Sequence, residues 1–276
     1  MSLRINNNVA AINSYRNLAF SNVQLGKSLE KLSSGFRINR AADDASGLVK
    51  SESLRAEIRG SQAAIRNAQD GVSFVQTAEG ALSEVHAILQ RMRELAVDAA
   101  NTATTDGTAQ QEEVKQLLAE LDSIGSRTTF AGNKVFQDYS TPATAALTFQ
   151  IGANAGDTLT LSDDLTLASN DVFSVDLSAI DLSSDASGAI TAIDSAIASV
   201  STVRSKLGAT QNRLEHTINN LSVAVENLTA SESRIRDTDM AREMAVFTKN
   251  QIMVQAGTAM LAQANAIPQN VLTLLR

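Results

Sequence analysis

The stretch IDSAIASVSTVRSKLGATQNRLEHTINNLSVAVENL, residues 193–228, decides the fold. Ile193, Val200, Leu207, Leu214, Leu221 and Leu228 recur every seven residues without a break. A seven-residue apolar repeat keeps one stripe of a helix against a neighbouring helix, the pattern of a coiled-coil seam. At about 1.5 Å per residue this helix runs for roughly 50 Å or more, longer than a compact globular core needs. Arg204 and Gln211 take the companion positions that Ile218 and Val225 fill further on, so the seam is polar at its middle, an arrangement that sets register.

The same period appears elsewhere. Val75, Leu82, Leu89 and Ala96 form one series and Ala78, Val85, Met92 and Ala99 the interleaved one, ending at the Thr- and Gly-rich turn NTATTDGT. Val114, Leu117, Leu118, Leu121 and Ile124 mark a shorter helix. Near the ends, Ala11, Leu18, Leu25 and Leu32 step by seven, and so do Phe247, Val254 and Leu261, with Met253 and Met260 beside them. Pro268 is expected to kink or end the last helix. Between the helices LTFQIGANAGDTLTL, 147–161, alternates apolar and polar residues about a Gly/Asn turn and predicts a β-hairpin. Residues 162–189, rich in Asp, Ser and Thr, read as a small exposed β or loop excursion. The expected fold is therefore mainly α: a long antiparallel helical rod with a small β-hairpin region at mid-chain, its domains discontinuous and built from both termini.

Composition agrees and excludes much. The chain has 276 residues, 43% hydrophobic but only 4% aromatic, with 2 Pro and no Trp, which suits long helices packed through aliphatic seams. The lack of cysteine excludes disulfide staples, thiolate metal sites and cysteine nucleophiles. A net charge of −7 argues against nucleic acid as a partner. The charge is uneven: residues 1–60 carry nine Lys/Arg against five carboxylates, whereas 138–200 carry nine Asp and no cation. The basic residues are dispersed among apolar positions, as on a solvated helix face. No cleavable signal peptide and no membrane-length apolar run are read, so no membrane insertion is expected.

The search for chemistry is nearly empty. No phosphate-binding glycine loop, HExxH, GxSxG or EF-hand spacing occurs. The two histidines, His86 and His216, fall on predicted helices without ligand-like neighbours. Asp43–Asp44 and Asp237–Asp239 are acidic clusters beside basic turns, and helix capping accounts for them better than chelation. The segment 163–189 is too short for a folded catalytic insert. No enzyme activity, cofactor or metal is therefore expected.

The ends of the chain add a resemblance. NNNVAAINSYRNL followed by LGKSLEKLSSGFRINRAADDASGL resembles the amino-terminal signature of bacterial flagellins, and RDTDMAREMAVFTKNQIMVQAGTAMLAQANAIPQNVLTLLR resembles the carboxy-terminal one. LQRMRELAVDAAN, FAGNKVF and FQIGANAGDTLTL look like rod segments of that family, and the large variable outer domains of many members are missing about residues 163–189. The resemblance implies a filament subunit, exported unfolded by the flagellar type III apparatus without a cleavable signal. It would be served by an export chaperone and a cap protein, and located in the extracellular flagellum. It implies an inner filament-core domain of 1–43 with 237–276, a rod domain of 44–162 with 190–236, and a short variable excursion, 163–189.

Assembly contacts are expected at Leu18, Leu25, Leu32, Phe247, Val254 and Leu261. An inter-domain joint is expected at Gly35, Arg37, Arg40, Asp43 and Asp44, paired with Arg236 and Asp237 through opposite charges. Residues 1 to about 40 and 240–276 are expected to fold on assembly, because a lone apolar-striped helix has too little to bury against. The resemblance also implies a host Toll-like receptor patch at Arg91, Leu95 and Glu113, departing from sensed members at Asp98 and Leu117. A hook–filament junction protein is the alternative, with similar terminal helices but a weaker likeness in the middle.

Overall fold

The computed structural model describes residues 7–101, 107–136, 147–161, 167–168, 171–172, 175–177, 180–183 and 185–274. Five helices dominate: α1 (Val9–Ser34), α2 (Ala45–Ala99), α3 (Thr108–Arg127), α4 (Ala186–Arg236) and α5 (Met240–Leu274). Three two-stranded antiparallel ribbons lie between α3 and α4: β1 (Thr129–Phe130) with β2 (Asn133–Lys134), β3 (Leu147–Gln150) with β4 (Thr158–Leu161), and β5 (Leu167–Ala168) with β6 (Asp171–Val172). The fold is mainly α, as the seven-residue pattern requires. The chain divides into a terminal unit, Met1–Ala56 with Asn227–Arg276, and a central unit, Glu57–Glu226.

The central unit holds the main core. The two α2 series predicted from sequence meet the α4 series there: Val75, Leu82, Val85, Leu89 and Met92 are fully buried with Ile193, Val200 and Leu207. The α3 residues Val114, Leu118 and Leu121 close the third side. Arg204, in the polar middle of the seam, reaches Glu79 at 3.6 Å, and Arg93 reaches Asp194 at 2.6 Å. Such half-exposed pairs contribute little energy but penalise a slipped register.

The hairpin at 147–161 forms with Leu147 opposite Leu161 and Gln150 opposite Thr158. It is held by its side chains. Phe149 lies 6.0 Å from Phe74, Leu159 packs with Ala68 and Leu214, and the Asn67 amide donates to the Gln150 carbonyl at 3.1 Å. A second hairpin, β1–β2, turns on Ala131 and Gly132, both with positive φ, 51° and 86°. That geometry matches the twist of paired strands, and Asn or Gly adopts it with less strain than Ala.

Three expectations are corrected. The excursion at 163–189 is not wholly exposed: Leu177, Ile180 and Leu182 are buried in the main core. The Gln111 side chain holds that segment to α3, donating to the Ile180 carbonyl at 3.0 Å and accepting the Leu182 amide at 2.8 Å. Its remaining residues 163–166, 169–170, 173–174, 178–179 and 184 lie outside the described residues. Next, α5 continues past Pro268 to Leu274. A proline cannot donate to the carbonyl four residues back, here Ala264. That carbonyl instead accepts the Asn8 side-chain amide at 2.7 Å, so the lost helical bond is replaced from the other end of the chain. Last, α4 contains one stretch long and apolar enough by length and composition to cross a membrane. Its apolar side chains Ile193, Val200, Val203 and Leu207 are spent in the core against α2 and α3.

Candidate functional site

Three groups of residues outside the main core carry the polar and apolar features singled out in the sequence. The first is the α1–α5 pair of the terminal unit. Asn8 caps α1, its Oδ1 accepting the Ala11 amide at 3.1 Å while its Nδ2 donates to Ala264. Leu18, Leu25, Leu32, Phe247, Val254 and Leu261 are all half-buried on these two helices. At the crossing, α5 presents Gly257, where an added Cβ would sit 3.2 Å from Leu18 Cδ1 and 3.5 Å from its Cβ. A glycine here lets the two helices approach closely, a role its sequence position alone did not signal.

Pairing leaves a great deal of apolar surface open. On α1, Val9, Ile12, Tyr15, Phe20, Val23 and Leu29 are 55–65% exposed. On α5, Met240, Met244, Ile252, Met253, Met260 and Ile267 are 45–61% exposed. Large apolar residues fall on every side of α5, interspersed with polar ones, so no single stripe can bury them all, and α1 covers one side.

The second group is the turn between α1 and α2. Gly35 ends α1 in the left-handed conformation, φ 75°, and its amide closes on Lys31 at 2.9 Å. The Gly35 carbonyl accepts the Thr238 amide at 2.9 Å and the Arg37 amide donates to Arg236 at 2.6 Å, flanking a bridge of Phe36 with Asp237. Residues 35–37 thus pair with 235–238 through backbone hydrogen bonds. The opposite charges expected across the pair act elsewhere. Arg37 donates to the Ile235 carbonyl at 2.5 Å, and Arg40 reaches back to Glu30 at 2.8 Å. Arg236 stacks on Phe36 with 4.8 Å to the ring centroid and pairs with Glu52 at 3.0 Å.

The aspartates cap. Asp43 Oδ2 accepts the Arg40 amide at 3.0 Å and the Asn39 amide at 3.2 Å. These bonds, the Arg40 one foremost, hold its carboxyl below the usual aspartate range. Asp44 caps α2 through the Gly47 amide at 2.8 Å. Asp239 caps α5 through the Ala241 and Arg242 amides. Ile38, 2% exposed, anchors the turn from beneath, a contribution that sequence reading missed. An open cleft of about 430 Å³ borders it, but Lys27, Lys31 and Arg37 share its walls with Asp43 and Asp44, which opposes an anion cradle. Among the described residues no group of carboxylates and histidines is placed to hold a metal ion. His86 Nε2 hydrogen-bonds the Gln90 side-chain amide at 3.0 Å, and His216 is exposed.

The third group lies on α2 and α3. Arg91 bonds Glu113 at 2.9 Å and Glu94 at 3.2 Å, all three side chains about half-exposed, and these bonds, Glu113 first, strengthen the hold on its proton. Leu95 is 4% exposed and belongs to the main core, so the structure brings Arg91 and Glu113 together at the surface without it. Four residues apart, the two lie near one another on a single face of α2: Leu95 is turned under the core, while Arg91 at the edge of that face stays half-exposed.

Comparison with known proteins gives the family. The profile of the bacterial flagellin N-terminal helical region matches residues 5–141, and that of the C-terminal helical region residues 190–275. The chain is 50% identical over 99% of its length to the flagellin of Bacillus subtilis strain 168, covering 100% of that protein. It is 52% identical over 99% of its length to a flagellin of Halalkalibacterium halodurans, covering 99% of that chain. It is 47% identical to the flagellar filament 33 kDa core protein of Treponema phagedenis, covering 99% of each chain. The crystal structure of Bacillus cereus flagellin aligns with a TM-score of 0.46 at 31% identity, over 56% of this chain and 88% of that one. The sequence matches run through the middle segments, where a junction-type protein was expected to diverge.

Proposed function

The chain belongs to the bacterial flagellin family and is a structural subunit of the extracellular flagellar filament, and on that premise we propose that its terminal helices form the surface through which copies polymerise. One observation carries the proposal: α5 has large apolar side chains on every side, α1 covers one side of it, and those on the rest of both helices stay exposed. So much apolar surface, with no cluster placed to hold a metal among the described residues, calls for a protein partner. In a homopolymer the occupant is another copy, and a patch that meets a different patch on the next copy without closing generates a helix of subunits.

Within this reading residues 1–43 with 237–276 form the inner, channel-lining domain, 44–162 with 190–236 the rod, and 163–189 the outward excursion. The backbone pairing of 35–37 with 235–238 is the joint between the inner helices and the rod. Half-burial of the α1–α5 seam supports folding of these ends on assembly, since two helices alone bury too little to offset the entropy of ordering them. Export through the type III apparatus, an export chaperone for the uncovered ends and a cap protein at the growing tip complete the proposal.

The decisive experiment deletes 240–276 and seeks filaments by electron microscopy. No filaments are expected, with the helical signal of the central unit retained; normal filaments from the truncated chain would overturn the proposal. A second role rests on the exposed Arg91–Glu113 pair: recognition by an animal Toll-like receptor. Arg91→Ala should abolish the receptor response and leave filaments intact. Unchanged signalling assigns the pair to the α2–α3 contact alone.

A further inference from the structure

Methionine is distributed unevenly over this chain. Of its six methionines, Met92 is fully buried in the central core, whereas Met240, Met244, Met253 and Met260 all lie on α5, 48%, 49%, 50% and 61% exposed. Met240 and Met244, four residues apart, share one face of the helix, and Met253 and Met260, seven apart, share another. The stripe of Phe247, Val254 and Leu261 that meets α1 runs between these two faces. The four methionines therefore lie on either side of the intramolecular seam.

We infer that these four methionines make polymerisation of the free subunit sensitive to peroxide, and that incorporation into the filament protects them. The inference rests on the assembly reading above. The reaction needs a hydroperoxide as oxidant. The sulfur lone pair attacks the distal peroxide oxygen, and the S–O bond forms as the O–O bond breaks. Sulfur loses two electrons, the proton moves to the departing oxygen, and hydrogen peroxide leaves as water. The product is a sulfoxide, polar and chiral where the side chain was apolar. Its oxygen needs a hydrogen-bond donor, and burying it against apolar side chains such as the exposed Phe20, Val23 and Ile252 carries a desolvation cost. The monomer tolerates the change because all four side chains are about half-exposed, and Met92 stays unreacted because its core excludes the oxidant.

The test uses the full-length chain. Purified monomer is treated with hydrogen peroxide, its sulfoxides are mapped by peptide mass spectrometry, and polymerisation onto sheared filament seeds is measured. Oxidation at 240, 244, 253 and 260 should outpace that at 92 at least tenfold and raise the critical concentration at least tenfold. Helix content should not change, and methionine sulfoxide reductase should restore assembly. A variant carrying Met240→Leu, Met244→Leu, Met253→Leu and Met260→Leu should polymerise and resist peroxide. In intact filaments the four residues should oxidise at least tenfold more slowly than in monomer. Oxidised wild type that assembles like untreated chain, a leucine variant equally poisoned, or equal oxidation rates in filament and monomer would overturn the inference while untreated chain still polymerises. Failure of untreated chain to polymerise would instead sink the assembly reading.

Discussion

Leu82, Leu89, Ile193 and Leu207 in the central unit are at most 1% exposed, whereas Leu18, Leu25, Phe247 and Val254 in the terminal unit are only half-buried. Both sets come from the same seven-residue pattern. The difference lies in the number of partners each helix has. In the central unit α2 and α4 are joined by α3, by the 147–161 hairpin and by Leu177, Ile180 and Leu182, so the seam is closed on every side. In the terminal unit α1 and α5 have chiefly one another. Burial completed within the chain stabilises a fold; burial left incomplete is available for association.

The sharpest way to break this contrast is to shorten one leucine in each unit. Leu207→Ala should cost about 2–5 kcal/mol in denaturant unfolding, because it opens a cavity in a closed core. Leu25→Ala should cost less than half as much in the monomer yet suppress polymerisation. Equal losses of stability would show the two seams to be equivalent.

A smaller effect is expected at the α1–α5 crossing. Gly257→Val places branched carbons against Leu18 and should destabilise the helix pair by about 1–3 kcal/mol. A raised critical concentration for polymerisation would verify it, and filaments forming at the wild-type concentration would refute it.

Asn8→Ala removes both the cap of α1 and the donor to Ala264, for about 1 kcal/mol. Pro268→Ala in the same background should recover part of that loss, since residue 268 then donates to Ala264 itself. No recovery would separate the cap from the bond across the helices.

The smallest effect concerns pH. Asp43 has a folded pKa below its unfolded one, so its contribution is present above the ordinary aspartate value and fades as pH falls through the folded value. The side chain is exposed, so the gain is screened and small. Asp43→Ala should flatten the acid limb of the unfolding curve only slightly, and an equally steep limb in the variant would assign the acid sensitivity to other carboxylates.

Much of this was legible in the sequence because periodicity reports directly which face of a helix is buried. The unbroken repeat from Ile193 onward, the α2 series and the alternation at 147–161 each specify an element and its inward side. Local polar chemistry was legible for the same kind of reason: Asp44 and Asp239 precede helices, and an aspartate there caps whatever the rest of the chain does. The β1–β2 hairpin was less legible, because its turn uses Ala131 in place of the Asn or Asp that usually marks one.

Amphipathic stripes and helix ends are properties of short stretches, and the sequence by itself determined them. Tertiary structure decided which stripes find partners: that Leu95 and Leu177 are buried, that Asn8 completes a carbonyl 256 positions away, and that the turn at Gly35 pairs through backbone where charge was expected. These depend on contacts distant in the chain, and a repeat of seven carries the direction of a face but not the identity of what covers it.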